Sequence, residues 1–222
     1  MVASKTLDLI AIGRSSVDLY GQQVGGRLED MASFSKAVGG SPTNIAIGTA
    51  RLGLKSGLIT RVGDEHMGRF IREQLEREGV DVSGVHTDKT RLTALVLLGI
   101  RDDKSFPLIF YRSDCADAAL DESDINEDYI ASAKSIVVTG THFANAHNAA
   151  AQKKAMKLAK KHGAKIAFDI DYRPNLWGLA GHDAGEERYI KSGDVTAHLS
   201  PILGECDLIV GTEEEVMIAG GE

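Results

Sequence analysis

The 222-residue chain is 43% hydrophobic and 26% charged with a formal net charge of −7, a composition that supports one sizeable ordered core and the size of a single globular domain. The acidic balance, with no lysine and arginine block interleaved with aromatics, argues against nucleic acid as a partner, because that affinity comes largely from basic patches neutralising phosphates. Cys115 and Cys206 stand far apart and in no C-x-x-C arrangement, which suggests neither a disulfide framework nor a zinc site; no run nears the ~18 apolar residues of a membrane span and no apolar signal stretch opens the chain, so we expect a cytoplasmic protein with no membrane partner.

Leu7 to Ile12 is an apolar run closed by Gly13, as expected for a strand buried on both faces of a parallel sheet. Val17 to Val24 mixes β-formers with polar residues and ends at Gly25-Gly26, which suits an exposed strand outside the main sheet. Within it, Asp18 follows the first strand at the end where open α/β sheets place ligands, and its carboxylate can accept hydrogen bonds from hydroxyls. A solvated loop acid fits that position equally well.

Val38-Gly39-Gly40-Ser41-Pro42-Thr43-Asn44 runs a paired glycine into a helix start. Glycines let the backbone reach φ > 0 and let a ligand approach the main chain, Ser41 fits an N-cap, and Pro42 fits the first helical position. The orphan N–H groups of that turn favour an oxygen-rich ligand, although an ordinary loop-to-helix junction has the same local composition. Asn44 to Leu52 has helical apolar spacing stopped by Gly53, Gly57 to Val62 is the next strand, and Asp64 can cap a helix bearing Met67, Phe70, Ile71 and Leu75 before Gly79. The order is β-α-β-α.

Thr93 to Ile100 and Phe106 to Arg112 are β-rich runs joined by a polar turn, which reads as a hairpin, and Pro107 implies that its strand lies at an edge or begins irregularly. Ser135 to Thr139, Lys165 to Asp169 and Asp207 to Val210 read as strands and Ala149 to His162 as a helix, so the sheet is mostly parallel. The connection from Asp171 to Pro201, with Trp177, Gly178, Gly181 and Gly185, is too long for a mere link and reads as functional or partly helical.

No nucleotide motif stands by itself. Gly48 to Ser56 nearly spells a P-loop, but Leu54 occupies the lysine position, and Gly13-Arg14-Ser15 is not a dinucleotide fingerprint. Arg112 and Arg173, each at a strand end, offer planar forks for a negative charge, while a surface salt bridge is the commoner fate of an arginine. His66, His142 and His147 lack metal-ligand spacing and read as ordinary polar residues.

Gly39-Gly40-Ser41-Pro42-Thr43-Asn44-Ile45-Ala46, followed by Gly53 and Gly63, resembles the first signature of the ribokinase/PfkB family of carbohydrate kinases. Ala11-Ile12-Gly13-Arg14 with Asp18-Leu19, Phe34-Ser35-Lys36, Tyr111-Arg112, Asp171-Tyr172-Arg173-Pro174 and Val210-Gly211-Thr212 with Glu214-Glu215 are similar to the sugar-acid kinases of that family. The resemblance implies a ribokinase-like α/β fold, with a mostly parallel central sheet flanked by helices and a small β-sheet lid built from about residues 15–25 and 93–112. It implies transfer of the ATP γ-phosphoryl group, with Mg2+, to the terminal hydroxyl of a sugar acid; 2-dehydro-3-deoxygluconate kinase and other sugar kinases are the competing substrate classes. Asp18, Gly39, Gly40 and Asn44 would contact the sugar, Arg112 the substrate, and Arg173 the substrate or the transferring phosphate. Asp171 would line the same strand end, with Arg14 beside it.

Glu214 aligns with the family's Asn-x-x-Glu motif, with Gly211 in place of the asparagine, and would reach magnesium through water; an acidic first helical turn is the ordinary alternative. Pairing of two lids over Leu95, Leu97, Ile109 and Tyr111 would give a homodimer. The family's second signature, Asp-x-x-Gly-Ala-Gly-Asp, occurs nowhere in the chain. We therefore expect the catalytic base to lie C-terminal to Glu222, no catalytic residue in these residues beyond transition-state support from Arg173, and a chain inactive alone. A non-catalytic sugar-acid-binding protein is the alternative of another class.

Overall fold

The computed structural model describes residues 5–103, 105–182 and 189–221. Along the chain run β1 (Leu7–Ile12), β2 (Ser16–Gly21), β3 (Phe34–Gly39), α1 (Ser41–Arg51), β4 (Ser56–Gly63), α2 (His66–Arg77), β5 (Val85–Asp88), β6 (Ala94–Leu98) and β7 (Leu108–Tyr111). They are followed by α3 (Glu127–Ala131), β8 (Ala133–Thr139), α4 (Ala146–Lys161), β9 (Lys165–Asp169), α5 (Gly193–Leu203), β10 (Leu208–Val210) and α6 (Glu213–Gly220).

Two sheets result. The larger has the order β10-β9-β8-β1-β4-β5 with every pairing parallel. Residues of β1 alternate between two cores. Ala11 packs with Leu58, Val62, Ala46, Ile47, Ile71 and Leu75 of β4, α1 and α2, whereas Ile10 and Ile12 pack with Ile136, Ile166, Phe168, Ala151, Ala155 and Met156 of β8, β9 and α4. A parallel sheet covered on both faces explains why β1 is an unbroken apolar run. Each fully buried Leu or Ile in these clusters contributes roughly 1.5–3 kcal/mol of transfer free energy.

The smaller sheet has the order β3-β2-β6-β7, antiparallel except for the parallel β2–β6 pair. The expected hairpin is β6–β7, and β7 is an edge strand that begins just after Pro107. The sequence reading has no strand at β3, where Phe34-Ser35-Lys36-Ala37-Val38-Gly39 is mostly half-buried or exposed and gives little alternation. β2 ends at Gly21 rather than Val24.

Two helix starts are corrected. Gly40, at φ 98°, is the N-cap of α1, and Ser41 is its first residue because the Ser41 hydroxyl is donated to Asp169 instead. Glu65 rather than Asp64 caps α2, since its longer side chain curls back to accept from Met67 N at 2.5 Å and Gly68 N at 3.2 Å. The long connection contains a 3-10 turn at Pro174–Trp177 and then α5; Gly185 lies outside the described residues. Among those residues no helix is long and apolar enough to cross a membrane.

Candidate active site

The C-terminal ends of β1 and β9 and the start of α1 face the inner side of the small sheet across a cavity of about 510 Å³. β-Strand alternation turns Asp18 and Tyr20 of β2, Val96 and Leu98 of β6, and Leu108 and Phe110 of β7 toward it. From the other side come Arg14, Gly40, Ser41, Asn44 and Arg173. Of the residues that the sequence singles out, the structure brings Arg14, Asp18, Gly40, Asn44 and Arg173 to one place under an apolar roof.

Asp18 accepts from Ser16 Oγ at 2.9 Å, and burial pushes its carboxyl above the ordinary range against the pull of that bond and of Arg14 and Arg112. Gly39 does not line the cavity. It lies against the Asp18 carboxylate so closely that a Cβ there would overlap it, so Gly39 acts on the site through Asp18. Gly40 does line it, and its positive φ is a conformation that glycine adopts without a steric penalty.

Arg112 and Asp171 are placed differently from expectation. Arg112 does not line the cavity: Nη1 lies 2.7 Å from Asp117 Oδ2, with side-chain exposures of 8% and 0%. The contact is an ion pair that is close but poorly aligned as a hydrogen bond. Asp117 also accepts from Ser15 N at 3.0 Å and Cys115 Sγ at 2.9 Å. Burial pushes the Asp117 carboxyl up, but the Arg112 guanidinium, aided by His142 and Cys115, outweighs it and holds the carboxyl below the usual range. A buried arginine needs a partner, and the deeper Asp117 supplies it. His142 lies beside this pair, 2% exposed, with neither ring nitrogen hydrogen-bonded among the described residues; burial pulls it down to about 4.

The Asp171 carboxylate is occupied. It accepts from Arg14 Nε and Nη2, both at 2.9 Å, and from Thr141 Oγ1 at 3.1 Å, and it pairs with Arg173 Nη2 at 3.2 Å. Arg173 continues to Glu215 at 3.3 Å. An alternating row of charges therefore runs from the cavity to the start of α6.

Glu214, the residue expected at the Asn-x-x-Glu position, is exposed, and Glu215 is the buried carboxylate. Glu215 accepts from Tyr172 N at 3.0 Å and Thr212 N at 2.9 Å, completing a capping box with Thr212. Thr212-x-x-Glu215 is a capping-box pattern in the sequence, and shifting the alignment by one residue would have found it.

Asp169, which no motif in the sequence marks, supports the site through cavity-lining Ser41. It takes the Ser41 hydroxyl, and burial, with Asp171 and Glu215 nearby, raises its carboxyl to about 6. An unfolded chain gives up this proton near pH 4, so folded stability falls as pH rises from about 4 to about 6, by up to about 3 kcal/mol at 1.36 kcal/mol per pKa unit. Asp169→Asn keeps an acceptor for Ser41 and removes that loss. We expect a higher midpoint in urea at pH 8 and little change at pH 4; equal midpoint shifts at both pH values would show that Asp169 is not held protonated by its surroundings.

Residues 6–186 match the model of the pfkB family of carbohydrate kinases. The chain is 41% identical over 213 residues to a 5-dehydro-2-deoxygluconokinase of Geobacillus thermodenitrificans, covering 95% of this chain and 59% of that one. It therefore spans less than two thirds of that relative's length. The crystal structure of a PfkB protein from Polaromonas sp. JS666 superposes with a TM-score of 0.85 at 30% identity, covering 98% of this chain and 69% of that one. A sugar kinase from Pyrococcus horikoshii in complex with ATP superposes with a TM-score of 0.78 at 30% identity, covering 94% and 64%. The residues matched by the family model run from the first strand past Arg173, and the chain belongs to the pfkB family of carbohydrate kinases.

Proposed function

We propose that the protein transfers the γ-phosphoryl group of ATP to the 6-hydroxyl of 5-dehydro-2-deoxy-D-gluconate. The observation that carries this reading is the charge pattern of the cavity, in which the acceptor-only carboxylate of Asp18 is set with the donor-only guanidinium groups of Arg14 and Arg173. That pattern suits a ligand with both hydroxyls and acceptor oxygens. The names of relatives 41% and 38% identical support the same substrate.

Asp18 and the Asn44 amide hold the sugar hydroxyls, and the first N–H groups of α1 at Gly40 and Ser41 face its oxygens. Arg173 lies between the cavity and α6, where it neutralises charge on the phosphoryl group in flight. ATP supplies the phosphoryl group and magnesium neutralises its oxygens. Magnesium carried on nucleotide phosphates keeps several waters, and the acidic first turn of α6, with exposed Glu213 and Glu214, offers carboxylates that would meet those waters. Exposed Glu214 would hold the ion through water, whereas the oxygens of Glu215 are taken by Tyr172 N, Thr212 N and Arg173. We assign the base for the hydroxyl proton to the family's second signature, which residues 1–222 do not contain.

The test is an ATP-coupled assay of the protein, extended through that signature, against sugar acids and neutral sugars; preference for fructose or ribose would sink the assignment, and preference for 2-dehydro-3-deoxygluconate would redirect it. Substantial turnover by residues 1–222 alone would show the base to be misplaced.

We also infer a cytoplasmic homodimer. β3 and β7 are open edges of the small sheet, and Tyr111 is 58% exposed beside half-buried Leu95, Leu97 and Ile109. Exposed strand edges need covering, and a second lid covers them. Light scattering is expected to give twice the monomer mass; a monomer at every concentration would refute the dimer.

A further inference from the structure

We propose that Arg14 recognises an oxygen of the substrate that has no proton to give, a ketone carbonyl or a carboxylate, and that Asp171 is the residue positioning it. This rests on the sugar-acid kinase reading above and deepens it.

Arg14 follows β1 directly, is 6% exposed, and lines the cavity. Its guanidinium is gripped along one edge, Nε and Nη2 each lying 2.9 Å from an oxygen of Asp171. Among the described residues its Nη1 has no protein partner, and it is not among the buried polar atoms sealed away from solvent. A fork fixed at one edge presents its remaining N–H groups in a set direction.

Asp171 does not line the cavity. With donors from Arg14, Thr141 and Arg173 around a side chain 2% exposed, it has no accessible acceptor for a sugar hydroxyl. Its backbone has φ +36°, left-handed for a buried residue other than glycine. Such conformations persist where the surroundings over-determine them and cluster at functional sites. Here the over-determination is the grip on Arg14.

Arg173 differs. Its Nη1 is spent on Tyr172 O at 2.7 Å and Glu215 at 3.3 Å, and its Nη2 on Asp171, so it faces the α6 side of the cavity. Arg14 therefore carries a terminal nitrogen with no protein partner among the described residues, whereas both terminal nitrogens of Arg173 are engaged. A guanidinium donates only, whereas Asp18, as a carboxylate, accepts only. Hydroxyls satisfy Asp18; a hydroxyl oxygen can also accept from Arg14, but a carbonyl or carboxylate oxygen is the stronger acceptor and gains more from the charged donor. A site built around a buried polar group rejects an analogue that leaves it unpaired far more strongly than one differing by a methylene.

The experiment is calorimetric binding of 5-dehydro-2-deoxygluconate, of the same acid with its ketone reduced, and of its uncharged methyl ester, to the protein and to Arg14→Met and Asp171→Asn variants. Arg14→Met is expected to weaken the keto acid by about 10- to 100-fold, from the loss of one charge-assisted hydrogen bond. It should affect far less the analogue that has lost the recognised acceptor: insensitivity of the reduced acid, whose hydroxyl accepts more weakly than the ketone, assigns the ketone, and insensitivity of the ester, which has lost the negative charge, assigns the carboxylate. Asp171→Asn is expected to narrow the same selectivity ratio while preserving binding of that insensitive analogue, a change that general loosening would not produce. If Arg14→Met fails to fold because Asp171 is left unpaired, the double variant Arg14→Met with Asp171→Asn removes both charges and is read in the same way. Equal weakening of all three ligands, or no weakening, overturns the proposal. Failure of the wild-type protein to bind either acid while binding a neutral sugar would instead overturn the sugar-acid reading beneath it.

Discussion

Asp117→Ala is expected to lower the unfolding free energy by about 3–5 kcal/mol, the usual cost of leaving one member of a buried ion pair without the other. Arg112 would be left charged among residues that exclude water, and Ser15 N and Cys115 Sγ would lose their acceptor. Replacing both members, Arg112→Met with Asp117→Asn, should recover much of that loss, because no uncompensated charge then remains. The pH dependence has a definite sign. Arg112 holds the Asp117 carboxyl below its unfolded value, so the stability it contributes is present above pH ~4 and is lost as pH falls through the lower folded value. Urea titrations of the three proteins at pH 7 and at about pH 2, below the unfolded carboxylate value, measure all of this. If Asp117→Ala cost under about 1 kcal/mol while sugar-acid binding vanished, Arg112 would be a substrate ligand after all and the pair incidental.

Gly39→Ala is expected to weaken sugar-acid binding by about 10- to 100-fold although Gly39 does not line the cavity. β3 pairs with β2 through Ser16–Gly39 and Asp18–Ala37, so neither strand can retreat without losing its ladder. A methyl at Gly39 would overlap the Asp18 carboxylate and force it out of the position that Ser16 Oγ helps to fix. Asp18→Asn should produce a loss of similar size, and the two changes together should fall well short of additive because they remove the same interaction. Calorimetry on the single and double variants decides it, with far-UV circular dichroism checking that the sheet persists; additive losses would mean that Gly39 contributes something other than room for Asp18.

The apolar run of Leu7–Ile12, the glycine that stops α1, the hairpin around Pro107 and the run of strands at β8 and β9 were legible because each is a local pattern with a local cause. The positions of Gly40 and Asn44 at the start of α1, and of Asp18 in the strand that follows β1, were legible in the same way. β3 and β5 were not legible, since short strands at sheet edges carry neither a clean alternation nor a continuous apolar run.

The fates of the arginines could not be read at all. Nothing along the chain distinguishes Arg112, which meets an aspartate five positions away in the interior, from Arg14, which meets one 157 positions away and keeps a donor in the cavity. Sequence fixes that these side chains are charged and stand at strand ends. Whether such a charge is spent on the protein or kept for a ligand depends on which carboxylate shares its burial, and long-range packing brings those groups together.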